Sequence, residues 1–310
     1  MKKIKTLIVG LGNIGMMQDY SSSKKNILTH SSFINSNNKF ELVGGVDLKE
    51  NKLKLFKRKF SKPVFTNFEK AVSYCNPNLI VICVNAEKNL KIIKRLKKFN
   101  GIILLEKPLS NEKKISQNLI KIIKKNRLNV FINYFREYFL NIRKELKIFS
   151  KSSNKKKCII HYSSSFYNLV HHLSMALIIL KKPISVKVLN KDKKNPDVFI
   201  KFSNGELMII SNKYFKYEND KIEFFNTKNS IQINLNPLSL RKYQIKKDEI
   251  FKGHFLLSQK PIKKEIFDKN FFSKVYENIY YSYYNKKNFK VSLHKSLTVD
   301  ILTSKIKEKL

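Results

Sequence analysis

Short apolar runs alternate with helical spacings through the first 134 residues. Thr6-Leu7-Ile8-Val9 is a compact run ahead of Gly10, and Phe40 to Val46 leads into Asp47. Pro63-Val64-Phe65, Leu79 to Val84, Ile102 to Leu105 and Asn129 to Tyr134 follow at intervals. The run over 79–84 has no polar residue, the mark of a parallel strand covered on both faces. Leu90, Ile93 and Leu96, and later Ile115, Leu119 and Ile122, recur at helical spacing. Ser110 or Asn111 is placed to cap the second of these helices, with Glu112 in its first turn. Strands and helices alternating in this way predict a doubly wound parallel sheet over residues 1–134.

The rhythm then changes to a period of two. Val198, Ile200 and Phe202 alternate, Ser203-Asn204-Gly205 turns, and Leu207 and Ile209 alternate again. Ile222 to Phe225 and Ile231, Ile233 and Leu235 flank a turn at Thr227-Lys228-Asn229. These are antiparallel hairpins. Phe272, Val275, Tyr276, Ile279 and Tyr283 form a helical stripe. Leu293, Leu297, Ile301, Ile306 and Leu310 mark a final amphipathic helix, able to pack back on the first domain. Residues 135–310 are thus a second, α/β domain, with Ser150 to Lys157 as a polar, basic loop inside it.

Composition changes little of this. The 310 residues carry a net charge of +40, which invites a nucleic-acid reading. Only six of the 63 basic residues are Arg, the usual base reader, and the lysines are spread along the whole chain. That pattern is expected of an AT-rich genome acting on tolerant surface positions, so no nucleic-acid partner is inferred. A basic surface still draws anionic small molecules. Three cysteines without a CxxC point to a reducing cytoplasm and away from disulfides or a zinc site. No apolar run is long enough for a membrane span.

Candidate chemistry begins where the first strand ends. Gly10-Leu11-Gly12-Asn13-Ile14-Gly15 is a GxGxxG, whose glycines allow a tight turn, close approach of a pyrophosphate and close helix packing. Asp47, ending the second strand, is the expected partner of the adenosine ribose, favouring NAD over NADP; Lys49 nearby keeps NADP open. Asp47 follows Gly15 by 32 residues, against about 20 in the usual fingerprint, so an insertion is expected around Gln18 to Asn26. Glu106-Lys107-Pro108 closes the fifth strand. Proline stops the strand and restrains Lys107 to an extended backbone, aiming it out of the carboxyl end of the sheet.

Together the glycine motif, Asp47, Glu106-Lys107-Pro108 and the segment Asn133 to Arg136 resemble the Gfo/Idh/MocA oxidoreductases. The resemblance implies a nicotinamide-binding Rossmann domain followed by an α/β domain with a large, mostly antiparallel open sheet. One face of that sheet would serve homo-oligomer formation. It implies oxidation or reduction of sugars, cyclitols or nucleotide-linked sugars. Gly10, Gly12, Asn13, Ile14, Gly15, Asp47, Asn85, Glu106 and Lys107 would hold the cofactor. Where the family commonly has Pro and, four residues on, His, this chain has Asn85 and Asn89.

Ser165 to Leu177 is similar to the family segment that brings an Asp and, four residues later, a His to the substrate. His172 matches the His; Asn168 stands where the Asp does. Neutral His suits removal of a hydroxyl proton while hydride leaves. Lys107 and His172 are therefore the expected catalytic pair, and Asn89, Arg136, Asn168 and His172 the expected substrate contacts. With Asn168 supplying no charge, a weakly basic His172 is expected. His171 is read as structural, His161 as a strand residue, and His30 as packing on a helix. The alternative to an enzyme is a dinucleotide-binding regulatory or scaffold protein of the same fold.

Overall fold

The computed structural model describes residues 2–21, 27–151, 155–163, 168–190, 192–212, 216–267, 270–285 and 290–310. It divides into two compact units, Met1–Phe135 with Phe272–Asp300, and Arg136–Phe271 with Ile301–Leu310.

The first unit runs β1 (Ile4–Val9), α1 (His30–Ser36), β2 (Phe40–Val46), α2 (Glu50–Phe60), β3 (Val64–Phe65), α3 (Phe68–Cys75), β4 (Leu79–Ile82), α4 (Ala86–Arg95), β5 (Ile102–Leu105), α5 (Lys113–Lys125) and β6 (Asn129–Ile132). All six strands are parallel, in the order β3-β2-β1-β4-β5-β6. Every residue of β4 and β5 is buried, as continuous apolar strands covered on both faces should be. The sheet places Gly10, Asp47, Glu106 and Asn133 just beyond the carboxyl ends of β1, β2, β5 and β6, where open α/β sheets bind ligands. Neither Ser110 nor Asn111 is the cap of α5. That place falls to Glu112, and Ser110 Oγ instead accepts from the Glu112 N–H at 3.1 Å.

The helix after the glycine motif is spliced. One turn forms at once, with Met16 and Met17 donating to Gly12 O and Gln18 to Asn13 O. A short 3-10 turn (Met17–Asp19) follows, and α1 begins only at His30. Yet His30 N donates to Ile14 O at 3.0 Å and Ser31 N to Gly15 O at 3.1 Å. Helical hydrogen bonding resumes across the gap as though residues 16–29 were looped out. Removing those fourteen leaves Asp47 eighteen residues behind Gly15, close to the usual spacing of about 20. Asp19 ties the segment down: its carboxylate accepts from Leu28 N, Thr29 Oγ1 and Ser32 Oγ and meets Lys59 Nζ at 3.3 Å. Burial would raise this carboxyl, but those bonds and Lys59 hold it below its ordinary value. Residues 22–26 of the expected insertion lie outside the described residues.

The chain returns to this unit as α8 (Phe271–Asn285). Val275, Tyr276 and Ile279 are fully buried, each contributing about 1.5–3 kcal/mol as an upper figure. Tyr276 stacks on Phe33 with ring centres 4.7 Å apart, while Tyr283, expected in the same stripe, is 39% exposed.

In the second unit α6 (Leu140–Lys151) leads to β7 (Lys156–Tyr162), α7 (Leu169–Ala176), β8 (Pro183–Val188), β9 (Val198–Phe202), β10 (Gly205–Ser211), β11 (Lys221–Phe225), β12 (Asn229–Leu235), β13 (Leu238–Lys247), β14 (Phe255–Leu257) and β15 (Lys263–Ile266). The nine strands among the described residues are ordered β14-β13-β12-β11-β7-β10-β9-β8, with β15 on β13. Only β7 and β10 pair in parallel; all other pairs are antiparallel. The expected hairpins are in place, while the expected loop at 150–157 ends early because Lys156 and Lys157 already pair in β7.

The last helix, α9 (Leu293–Lys307), turns a different face inward from the expected one. Ser296, Val299, Asp300, Leu302 and Ile306 are buried, whereas Leu297 and Ile301 are half-buried. Two of those buried positions are polar, so the apolar stripe read from the sequence did not mark the inner face. Among the described residues no helix is long and apolar enough to cross a membrane.

Candidate cofactor and catalytic sites

The glycine turn is shaped by contacts that side chains would prevent. Gly10 has φ +96°, and a Cβ there would lie 2.7 Å from the Cys83 backbone; on Gly15 it would meet Gly10 O at 2.1 Å. A Cβ on Gly12 would meet nothing nearer than Lys52 Nζ at 3.9 Å. Gly12 therefore faces open space beside an ammonium, the surface a phosphate-bearing ligand needs. Asp47 closes the turn. Its Oδ2 accepts from Leu11 N at 2.8 Å, its Oδ1 from Lys49 N at 2.9 Å, and Lys52 Nζ is 3.8 Å away. The acid at the end of β2 thus holds the glycine turn. These residues fit a dinucleotide. Asn13 is exposed, Ile14 half-buried, and Asn85, an exposed residue at the head of α4, leaves its carbonyl to Lys88 N.

Glu106 is the centre of a buried polar cluster. Its Oε1 accepts from Asn133 Nδ2 and lies 2.9 Å from His30 Nε2, whose Nδ1 is 2.7 Å from Tyr276 Oη. Phe272 meets the His30 ring edge-on at 4.6 Å. His30, expected merely to pack on a helix, instead links three elements of this unit, and only its 76-residue separation from Glu106 hid it. Burial would raise the Glu106 carboxyl. The His30 hydrogen bond and charge, the Lys107 ammonium and Asn133 more than offset this and hold it below its ordinary value. Burial, with the nearby Glu106 charge, pushes the Cys83 thiol and Tyr276 phenol well up, so both stay neutral.

Lys107 is half-buried and its bond to Pro108 is cis, which differs from the simple strand stop expected. Asn89 is corrected outright. It is 1% exposed, and its Nδ2 donates to Pro108 O and Leu109 O at 3.3 and 3.0 Å. It clamps the loop that carries Lys107 and is not offered to a substrate, because α4 turns it inward.

The second unit gathers a separate constellation. His172, buried on α7, donates from Nδ1 to the Asn168 backbone carbonyl at 3.2 Å. Its Nε2 is 3.3 Å from Asp220 Oδ2, without an aligned hydrogen bond. Asp220 precedes β11; its Oδ1 accepts from Ser163 N at 2.6 Å and Ser163 Oγ at 2.8 Å. Burial lowers the His172 pKa; Asp220 acts against this, and the Arg136 charge adds to it. Arg136, half-buried, is itself pulled down to about 10 by burial, against the pull of Asp220 and Glu218. Glu137 beside it accepts from Ser174 Oγ and from Arg143 at 2.8 Å, tying that turn to α7.

Two expectations change here. Asn168 heads α7 and reaches His172 through its main chain. An acid is nonetheless beside His172, contributed by Asp220 from a different element 48 residues on. The expected tripeptide Ser165 to Tyr167 lies outside the described residues. Among the described residues no cluster of His, Cys, Asp and Glu could hold a metal ion.

Residues 4–134 match the Gfo/Idh/MocA model, described as an oxidoreductase family with an NAD-binding Rossmann fold. No curated protein matches the chain in sequence. Among solved structures, the chain is similar to UDP-N-acetylglucosamine 3-dehydrogenase GnnA from Acidithiobacillus ferrooxidans. That match has TM-score 0.75 at 10% identity, over 100% of this chain and 98% of that one. A dehydrogenase (MviM) from Clostridium difficile gives 0.72 at 16%, over 100% of both chains. A dehydrogenase from Chromobacterium violaceum gives 0.72 at 11%, over 99% and 95%. Identities this low carry the fold alone.

Proposed function

From the match of residues 4–134 to the Gfo/Idh/MocA oxidoreductase model with its NAD-binding Rossmann fold, we propose that this chain carries out a hydride transfer between a nicotinamide dinucleotide and a hydroxyl or ketone carbon of a carbohydrate-type substrate. The observation that carries this reading is the row of groups at the carboxyl edge of one parallel sheet: the open glycine turn, Asp47, and Lys107 set beside a buried, ionised Glu106.

In this reading the turn at Gly10, Gly12, Asn13, Ile14 and Gly15 receives the pyrophosphate, Asp47 the ribose, and Asn85 the carboxamide. The nicotinamide, when bound, supplies the hydride acceptor or donor. Lys107 stabilises charge on the reacting oxygen. His172 takes the hydroxyl proton at Nε2, the nitrogen its Nδ1 hydrogen bond leaves basic. Arg136 and Asn168 contact the substrate. A nucleotide sugar is the first class to test, since a UDP-sugar dehydrogenase shares the fold end to end and a charge of +40 attracts anions. Self-association through the second sheet is supported by exposed Phe255, Leu256 and Leu257 on β14 and Ile266 on β15. Three free, buried cysteines suit a reducing cytoplasm.

A second reading, dinucleotide binding without turnover, is favoured by one observation: His172 is 1% exposed, with Nε2 turned toward Asp220. A panel of nucleotide sugars, free sugars and cyclitols, followed by reduced-cofactor absorbance, separates the two. Turnover lost in both Lys107→Ala and His172→Ala is the expected result. Tight NADH binding with no turnover by the unaltered protein would establish the second reading instead.

A further inference from the structure

Helix α7 offers His172 a main-chain carbonyl and no carboxylate. Because a carbonyl only accepts, Nδ1 carries the hydrogen, and in the neutral ring Nε2 holds a lone pair. That nitrogen lies 3.3 Å from Asp220 Oδ2, off the line of an aligned hydrogen bond, an unfavourable approach of two acceptors. A proton on Nε2 converts it into a charge-assisted contact. Asp220 is not free to turn away. Ser163 grips its Oδ1 through both N–H and hydroxyl, and the same hydroxyl oxygen accepts from Asn219 N at 2.9 Å. The carboxylate is thus fixed before any proton arrives.

We propose that Asp220 is the positioning residue of His172, holding the ring and stabilising the imidazolium formed when Nε2 takes a proton. The proposal rests on reading His172 as the acid/base group. Among the described residues, the charged groups acting on it are Arg136 from the turn before α6, opposing the imidazolium, and Asp220 ahead of β11, favouring it, while Glu218 acts on Arg136. Glu137 is committed to Arg143 and Ser174. His171 is the neighbour on α7, about 100° away around the helix.

The test uses the full-length protein with histidine labelled in 15N, His172 being assigned by the signal lost in His172→Gln. Unaltered protein should show the Nδ1–H tautomer. In Asp220→Asn the ring should titrate lower by about one to two pH units, because burial and Arg136 are left unopposed. Adding Asn168→Asp, four residues before His172 on the same helix face, should return at least half of that shift. With a turned-over substrate, Asp220→Asn should lower kcat about 10- to 100-fold with KM nearly unchanged, and the second substitution should restore it. A folding defect would not be rescued by an acid on another element. An unmoved His172 titration in folded Asp220→Asn, or no recovery in the double variant, overturns the proposal. If Asp220→Asn does not fold, Ser163→Ala decides: a smaller downward shift supports the proposal and none overturns it. If no substrate is turned over, the hydride-transfer reading fails while the titration still decides the pairing.

Discussion

His30 Nε2 stands 2.9 Å from Glu106 Oε1, with the imidazole wholly buried and 76 residues of chain between them. The pair joins the head of α1 to the end of β5, immediately before Lys107. Glu106 is held below its ordinary value, so its contribution to stability is complete above the unfolded value of about 4.3 and is lost as pH falls through the lower folded value. Glu106→Gln should lose about 1–3 kcal/mol at pH 7. Its stability should also fall less steeply in acid. Urea unfolding between pH 3 and 7 (about the range where carboxylates titrate) reads both; parallel curves for the two proteins would refute the assignment.

Asp300 shows the opposite sign. Burial raises its carboxyl to about 7, despite bonds from Ser116 Oγ and the Ser110 and Leu109 N–H groups. The folded protein therefore keeps this proton while the unfolded chain releases it near pH 3.9, and stability falls as pH rises from there to about 7. Asp300→Asn, which resembles the protonated acid at every pH, should be more stable above pH 7 by on the order of 1–4 kcal/mol. Thermal melts at acidic and alkaline pH measure it.

Cofactor choice should turn on two opposed charges. Asp47 repels an added ribose phosphate, while Lys52, 3.8 Å from it and beside the open face of Gly12, attracts one. Asp47→Ser should weaken NADH binding about 10-fold and strengthen NADPH relative to it; Lys52→Ala should weaken NADPH selectively. Fluorescence titration with each reduced cofactor gives the four constants.

Asn89 should behave as a support. Asn89→Ala orphans the Pro108 and Leu109 carbonyls, costing about 1–3 kcal/mol. Turnover should drop through the displaced Lys107 loop while KM holds. A raised KM with unchanged stability would return Asn89 to the substrate.

Residues whose partners are near in sequence or repeat with a simple period were legible without coordinates. The continuous strands at 79–84 and 102–105, the GxGxxG turn and the hairpins over 198–235 are of this kind. What pairs across long separations was not. His30 with Glu106 and His172 with Asp220 join elements that no spacing rule connects. Asn89 was misread for the complementary reason: a polar residue at a family position looks like a ligand contact until its donors are seen to be spent on main-chain carbonyls. Leu293, Leu297 and Ile301 misled because α9 buries a serine and an aspartate, which an apolar stripe cannot announce.

The spliced helix at Gly15 and His30 has a bearing on how this chain tolerates change. Its two ends meet through ordinary helical hydrogen bonds, and Asp19 is anchored to Lys59 and Leu28, so length added between Asp19 and Leu28 leaves those anchors in place. Doubling that length would add only about 0.6 kcal/mol of closure entropy. A reporter peptide or a small domain inserted between Asp19 and Leu28 would thus be carried next to the nucleotide fold with both anchors kept.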